Sequence, residues 1–240
     1  MVPIQLIDIG ITPYKDAWEL QEEYFNQIVS EKKNKGHMPG KAQKDFTNNY
    51  LIFCEHPHVI TLGKSGKKEH LLLNDALLEK HKVDFFSINR GGDITYHGPE
   101  QIVAYPVINL DNFFSDIHKY MRNLEEVIIR VLDEYGIEGE RIEGATGVWL
   151  DKDNPAKCRK ICAMGVRTSR WVAMHGLALN VNNDLSFFDF IIPCGISDKK
   201  VSSLKQELGR TIDKAEVKAK ILKHFGTIFN AEFVRISINA

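Results

Sequence analysis
The sequence predicts a mixed-sheet α/β (α+β) domain, and two observations carry that prediction. Segments of strand character outnumber segments of helical character. The two kinds do not alternate strictly along the chain, which disfavours a doubly wound parallel sheet. The 240 residues are 43% apolar and 26% charged, enough to bury a core without disulfide or metal staples. No repeat and no low-complexity linker interrupts the chain, so residues 1–240 read as one domain.

The elements follow in order. Residues 4–11 alternate loosely between apolar and polar and read as a strand. Residues 14–33 place Trp18, Tyr24, Phe25, Ile28 and Val29 near helical spacing. Residues 31–45 hold five lysines, two glycines and a proline and read as an exposed loop. Residues 51–54 and 59–62 are apolar runs separated by Glu55-His56-Pro57-His58. They read as two strands, because proline is not tolerated inside a central one. Residues 83–88 and 102–110 are further strands, with a glycine-rich polar loop between them. Residues 116–135 form the clearest helix, with Ile117, Tyr120, Leu124, Val127, Ile128, Val131 and Leu132 on one stripe. Residues 148–150, 160–167 and 171–181 read as strands. Asp213 with Glu216 resembles a capping box and opens a last helix, followed by a strand at 232–236. This C-terminal helix and strand, within 209–240, pack on the domain.

Charge and composition exclude several classes. Lys and Arg total 31 against 32 Asp and Glu, a net charge of −1. A near-neutral chain is not built to neutralise a phosphate backbone, so no nucleic-acid partner is expected. No apolar run is long enough to span a bilayer and no signal peptide is visible, so the expectation is a cytoplasmic protein with no membrane partner. The four cysteines are Cys54, Cys158, Cys162 and Cys194. They form no C-x-x-C pair, so neither a metal site nor a redox pair is expected, and in a reducing compartment they stay free thiols.

Gly63-Lys64-Ser65 resembles the end of a phosphate-binding loop, but the glycine required five positions earlier is His58. Arg90-Gly91-Gly92-Asp93-Ile94-Thr95-Tyr96-His97-Gly98-Pro99 is different. Adjacent glycines let backbone approach a ligand closely; the alternative is a tight turn between strands. Cys194 lies in Pro193-Cys194-Gly195, at a bend placed for reactivity, although buried cysteine is the commoner fate. Lys160 enters an apolar strand, where lysine is seldom buried without a partner. If that strand is regular, Cys158, Lys160 and Cys162 share one face. His175-Gly176-Leu177-Ala178 begins another strand, and its small residues are suited to a narrow apolar channel.

Taken together, these blocks resemble the lipoyl(octanoyl) transferases from about residue 50 to about 208. The most specific are R-G-G-x-x-T-Y-H-G-P at Arg90 through Pro99 and P-C-G at Cys194. The resemblance implies the fold shared with lipoate and biotin protein ligases, a mixed β-sheet flanked by helices. It implies a transfer of octanoyl from octanoyl-acyl carrier protein to a lysine of lipoyl domains, in 2-oxoacid dehydrogenase complexes and the glycine cleavage H protein, with no cofactor. The acyl-carrying cysteine falls on Cys194 and its supporting lysine on Lys160. The acyl-pocket positions fall on Arg90, Gly91, Gly92, Asp93, Ile94, Thr95, Tyr96 and His97, on Ala163, Met164 and Gly165, and on Gly176, Leu177 and Ala178. Amides near Gly195 or the Gly91-Gly92 turn are candidates for an oxyanion site. His97 or His175 is a candidate helper. The competing expectation is an ATP-dependent lipoate or biotin ligase on the same fold, which needs no cysteine nucleophile.

Overall fold
The structure is a computed structural model that describes residues 1–34, 47–192 and 200–236. In chain order the elements are β1 (Val2–Ile11), α1 (Tyr14–Asn34), β2 (Tyr50–Glu55), β3 (Val59–Leu62), α2 (Asp75–Lys80), β4 (Asp84–Ser87), β5 (Ile94–His97) and β6 (Gln101–Asn109). They continue with α3 (Ile117–Asp133), β7 (Glu140–Ile142), β8 (Ala145–Leu150), β9 (Arg159–Ser169), β10 (Val172–Asn180), β11 (Lys200–Val201), α4 (Leu204–Leu208), α5 (Lys214–Phe229) and β12 (Ala231–Arg235).

Among the described residues the strands form two sheets. The larger runs β12-β1-β2-β6-β10-β9-β8-β7, with β11 added beside β9. It is mixed: β1 pairs parallel with both β12 and β2, while β2, β6, β10, β9, β8 and β7 pair antiparallel in succession. The smaller sheet has the order β4-β3-β5. Residues 51–54 and 59–62, adjacent in sequence, therefore lie in different sheets.

Both faces of the large sheet are covered, which explains why β2, β6 and β10 are buried at every position. Side chains alternate between faces along a strand. Leu51 and Phe53 join the stripe of α3 (Leu124, Val127, Ile128) and α5 (Val217, Ile221, Phe225). Ile52 and Cys54 join Phe25 and Ile28 of α1 on the other face. Residues with two buried faces read as continuous apolar runs, not as alternation. β12 pairs with β1 and α5 packs in the same core as α3, so the C-terminal helix and strand complete the main sheet.

The structure corrects several local expectations. Residues 31–34 continue α1, and residues 35–45 of the expected lysine-rich loop lie outside the described residues. Residues 94–97, expected within a loop, form β5. α2 was not expected; Asn74 caps it by accepting from the Leu77 N–H at 3.0 Å. At α5 only half of the expected capping box forms. Asp213 accepts from Ala215 N at 2.8 Å, while Glu216 is turned to the Tyr135 hydroxyl at 3.1 Å.

Candidate active site
The small sheet stands over one end of β9 and β10, and a cavity of about 290 Å³ lies between them. That is the lower end of the range for small-molecule pockets, about 300–1,000 Å³. Its floor is made of cross-strand pairs: Ala163 lies opposite Ala178 and Gly165 opposite Gly176. Met164 and Leu177, paired between them, also border the cavity. Small side chains keep this floor low.

Each glycine has a further reason. A Cβ at Gly176 would collide with the Ala104 carbonyl and stand 2.6 Å from Pro106 Cδ on β6. A Cβ at Gly165 would stand 2.6 Å from the Gly91 carbonyl. Gly176 thus borders the cavity and is also fixed by the neighbouring strand.

The Arg90 loop is pinned from several sides. The N–H groups of Gly63, Lys64 and Ser65 donate to the carbonyls of Asp93, Arg90 and Gly92, at 2.9–3.1 Å. These amides, which resembled part of a phosphate loop, are thus occupied. Gly91 N donates to Val166 O at 2.9 Å on the open edge of β9, so this amide is not available to an oxyanion. Arg90 is buried, and its NH2 donates to Thr61 O (2.8 Å) and Thr61 Oγ1 (3.0 Å).

Of the expected pocket positions, Arg90, Gly92, Asp93, Ile94, Thr95 and His97 border the cavity, as do Lys160 and all six positions on β9 and β10. Gly91 and Tyr96 do not. Tyr96 points into the core of the small sheet, beside Ile60, Ile94 and Phe188. There its hydroxyl pairs with His58 Nδ1 at 2.8 Å. Asp93 has its carboxylate 2.7 Å from His70 Nδ1. Cys194 lies outside the described residues.

Lys160 stands at one end of the cavity because β9 is irregular. Val148 pairs with Cys162 but Trp149 pairs with Lys160, so the ladder gains a residue between them. The bulge breaks the expected alternation. Lys160 borders the cavity, whereas Cys162 is fully buried in the core under α3. The Lys160 ammonium donates to the Thr146 carbonyl at 3.1 Å and lies 4.4 Å from the centre of the Trp149 ring. Cys158 precedes the strand and is also buried.

The other end is lined by Tyr14, Tyr105, His97 and His175. A buried chain of amides orients His97. Asn180 Nδ2 donates to the Ser202 carbonyl (2.9 Å), which leaves Asn180 Oδ1 to accept from Gln101 Nε2 (2.9 Å). Gln101 Oε1 then faces His97 Nδ1 at 2.9 Å. His97 Nδ1 must donate, and Nε2 keeps its lone pair. Burial, helped by the neighbouring His56, pushes the His97 pKa down to about 3. His175 is also pushed down to about 3, by burial and then by the charges of Arg90 and Arg167. Its backbone is left-handed (φ 62°), and its N–H donates to the buried Gln21 side chain at 3.0 Å. Both imidazoles are neutral at ordinary pH.

Tyr14, Tyr105, Gln101 and Asn180 were not singled out from the sequence. Tyr14 and Tyr105 pass for core positions of a helix and a strand. Gln101 and Asn180, polar residues at the ends of apolar strands, were the available signal.

The match to known proteins agrees with this geometry. Residues 13–226 match the model of the lipoyl protein ligase A/B catalytic domain. The chain belongs to that family. Among its relatives, an octanoyltransferase of Flavobacterium johnsoniae is 59% identical over 234 residues, 96% of this chain and 98% of the relative. An octanoyltransferase of Cytophaga hutchinsonii is 54% identical over 222 residues, covering 92% of this chain and 91% of its own. Solved structures at low identity share the fold. One is a bipartite lipoate protein ligase of Thermoplasma acidophilum (TM-score 0.73, 16% identity, 100% of this chain and 88% of that one). Another is a lipoate-protein ligase A bound with ATP (TM-score 0.72, 16% identity, 100% and 90%). No helix among the described residues is long and apolar enough to cross a membrane, and no group of three or more His, Cys, Asp or Glu side chains among them is placed to hold a metal ion.

Proposed function
We propose that this family member, acting as one catalytic domain, transfers an octanoyl group from octanoyl-acyl carrier protein to a lysine of lipoyl domains, including the glycine cleavage H protein. The transfer passes through a thioester on Cys194. The observation that carries this reading is the narrow, small-floored cavity with the Lys160 ammonium at its end. A linear acyl chain fits along the floor with its carbonyl at the lysine. Octanoyltransferase relatives at more than half identity support the choice of acyl group.

The steps balance without a cofactor. Lys160 as ammonium favours Cys194 as thiolate; opposite charges about 4 Å apart at an effective dielectric of about 20 attract by about 4 kcal/mol. The thiolate attacks the thioester carbonyl, and the carrier thiolate leaves and takes up a proton. The acyl-enzyme carries no negative charge at Cys194, so Lys160 loses the partner that favoured its ammonium. As a neutral amine it takes a proton from the acceptor lysine, whose nitrogen attacks the thioester and expels the Cys194 thiolate. His97 and His175 are too weakly basic for this proton transfer. A role for Cys194 beside Lys160 is supported by chain position: Val201, seven residues after it, pairs with Lys160 across β11 and β9. Such chemistry suits a reducing, cytoplasmic setting in which the thiol stays free.

The test is a donor comparison. The protein should octanoylate a lipoyl domain from octanoyl-carrier protein without ATP. Cys194→Ser should abolish this transfer and Cys54→Ser, whose thiol is buried against His56, should not. Modification that instead requires free octanoate and ATP, and that survives Cys194→Ser, would make the chain a ligase.

A further inference from the structure
The Thr146–Gly147 peptide unit lies between two charged groups. Its N–H donates to Glu125 Oε1 at 3.1 Å, and its C=O accepts from Lys160 Nζ at 3.1 Å. Glu125 comes from α3, under one face of the large sheet, and its side chain is wholly shielded from solvent. Lys160 borders the cavity, and β8 carries the peptide between them.

A shielded carboxylate costs several kcal/mol unless it is paired and hydrogen-bonded. Glu125 meets that demand with one oxygen: Oε2 lies 2.7 Å from Arg122 and 3.2 Å from Arg141, both partly exposed. Its other oxygen is spent on Gly147. The glycine is needed for this arrangement. Its φ of +119° is one that side chains rarely adopt, and a Cβ there would stand 2.5 Å from the Cys162 carbonyl and 3.4 Å from Lys160 Cε.

We propose that Glu125 is a positioning residue for Lys160, acting through the Thr146–Gly147 peptide. The carboxylate holds the amide plane in place and polarises it, which makes the Thr146 carbonyl a stronger acceptor. The ammonium is thereby held at the cavity end and favoured while the Cys194 thiolate must form. This inference rests on the role given to Lys160 above.

Among the described residues, the other charged neighbours of the pair lie on β9, β11 and α3, and Lys200 of β11 borders the same cavity. On β9, Arg159 is taken up by Glu207 and Asp151, and Cys162 is buried behind Lys160. On β11, Lys200 is registered with Arg159. On α3, Glu126 pairs with Arg130 and with Arg141 of β7.

The experiment measures the titration of Lys160 in the full chain, by competitive labelling with trace acetic anhydride across pH and peptide mass spectrometry. Glu125→Gln should lower the Lys160 midpoint by about one pH unit, since a nearby negative charge is lost. It should slow acyl-enzyme formation at pH 7 about tenfold, with recovery at higher pH as Cys194 ionises unaided. Arg141→Gln breaks an ion pair of the same carboxylate but keeps the bond to Gly147, so its midpoint should stay or rise. If Glu125→Gln does not fold, Glu125→Asp, which keeps the charge but withdraws it from Gly147, should move the midpoint down by less. An unmoved midpoint in the folded variant, or the same movement in Arg141→Gln, overturns the proposal. A midpoint that moves while neither half-reaction changes leaves the coupling standing and overturns the role assigned to Lys160.

Discussion

The two ends of the cavity are built from different chemistry. At one end a lysine on a bulged strand meets a backbone carbonyl and an indole face. At the other, two imidazoles and two tyrosines are buried so deeply that the imidazoles stay neutral and burial raises the phenols well above their ordinary range. Along β9 the ends are roughly 15 Å apart, at about 3.3 Å per residue. One end can hold a charge and move a proton. The other offers neutral imidazoles and phenols beside the buried guanidinium of Arg90, which is bonded to Thr61. The floor joining them is equally divided in purpose: its glycines accommodate neighbouring backbone, and its alanines face the cavity.

The largest effect should come from the floor. Gly176→Ala pushes a methyl into the β6 backbone and should cost about 3 kcal/mol of stability, read as a lower midpoint in urea. Transfer should fall alike for octanoyl and butyryl donors. A folded, fully stable Gly176→Ala would show that β6 does not fix this position. Ala163→Leu should behave oppositely. It fills the slot between the two ends, so kcat/KM should drop about tenfold more for octanoyl than for butyryl, with little change in stability. Equal losses for both donors would remove Ala163 from the acyl path.

These contrasts also mark what the sequence could reveal. Motif blocks named many of the cavity residues because they cluster in a few strings, and the helical stripe of α3 was plain from its spacing. The small sheet was harder to read: β3 and β5 are separated by more than thirty residues, and only the folded chain brings Arg90 onto Gly165. The bulge that separates Lys160 from Cys162 was hidden because it arises in the pairing of β9 with another strand, β8. Tyr96 misled for a related reason. It sits inside the most specific motif, yet its ring packs into the small sheet's core and its hydroxyl pairs with His58.

A smaller effect sharpens the neutral end. His56, His97 and His175 have pKa values pushed down to about 4, 3 and 3, mainly by burial. Unfolded, each takes up a proton below about pH 6.5. Protons therefore favour the unfolded chain, and stability should fall as pH drops through 6.5 and level off only near the folded values. Each histidine contributes about 1.4 kcal/mol per pH unit within that window. His175→Gln should remove its share of the slope, measured by urea unfolding between pH 7 and 4.5. An unchanged slope would mean that His175 is protonated in the folded state.

In the proposed mechanism the charged end passes the acyl group from Cys194 to an amine. Lys160→Arg tests it most directly, because arginine keeps the positive charge but does not release a proton at ordinary pH. The measurement is a single turnover with octanoyl-carrier protein, followed by intact mass and then by addition of lipoyl domain. An octanoyl adduct on Cys194 should form and persist, with the lipoyl domain left unmodified. Transfer from that preformed adduct at near the wild-type rate would contradict the claim.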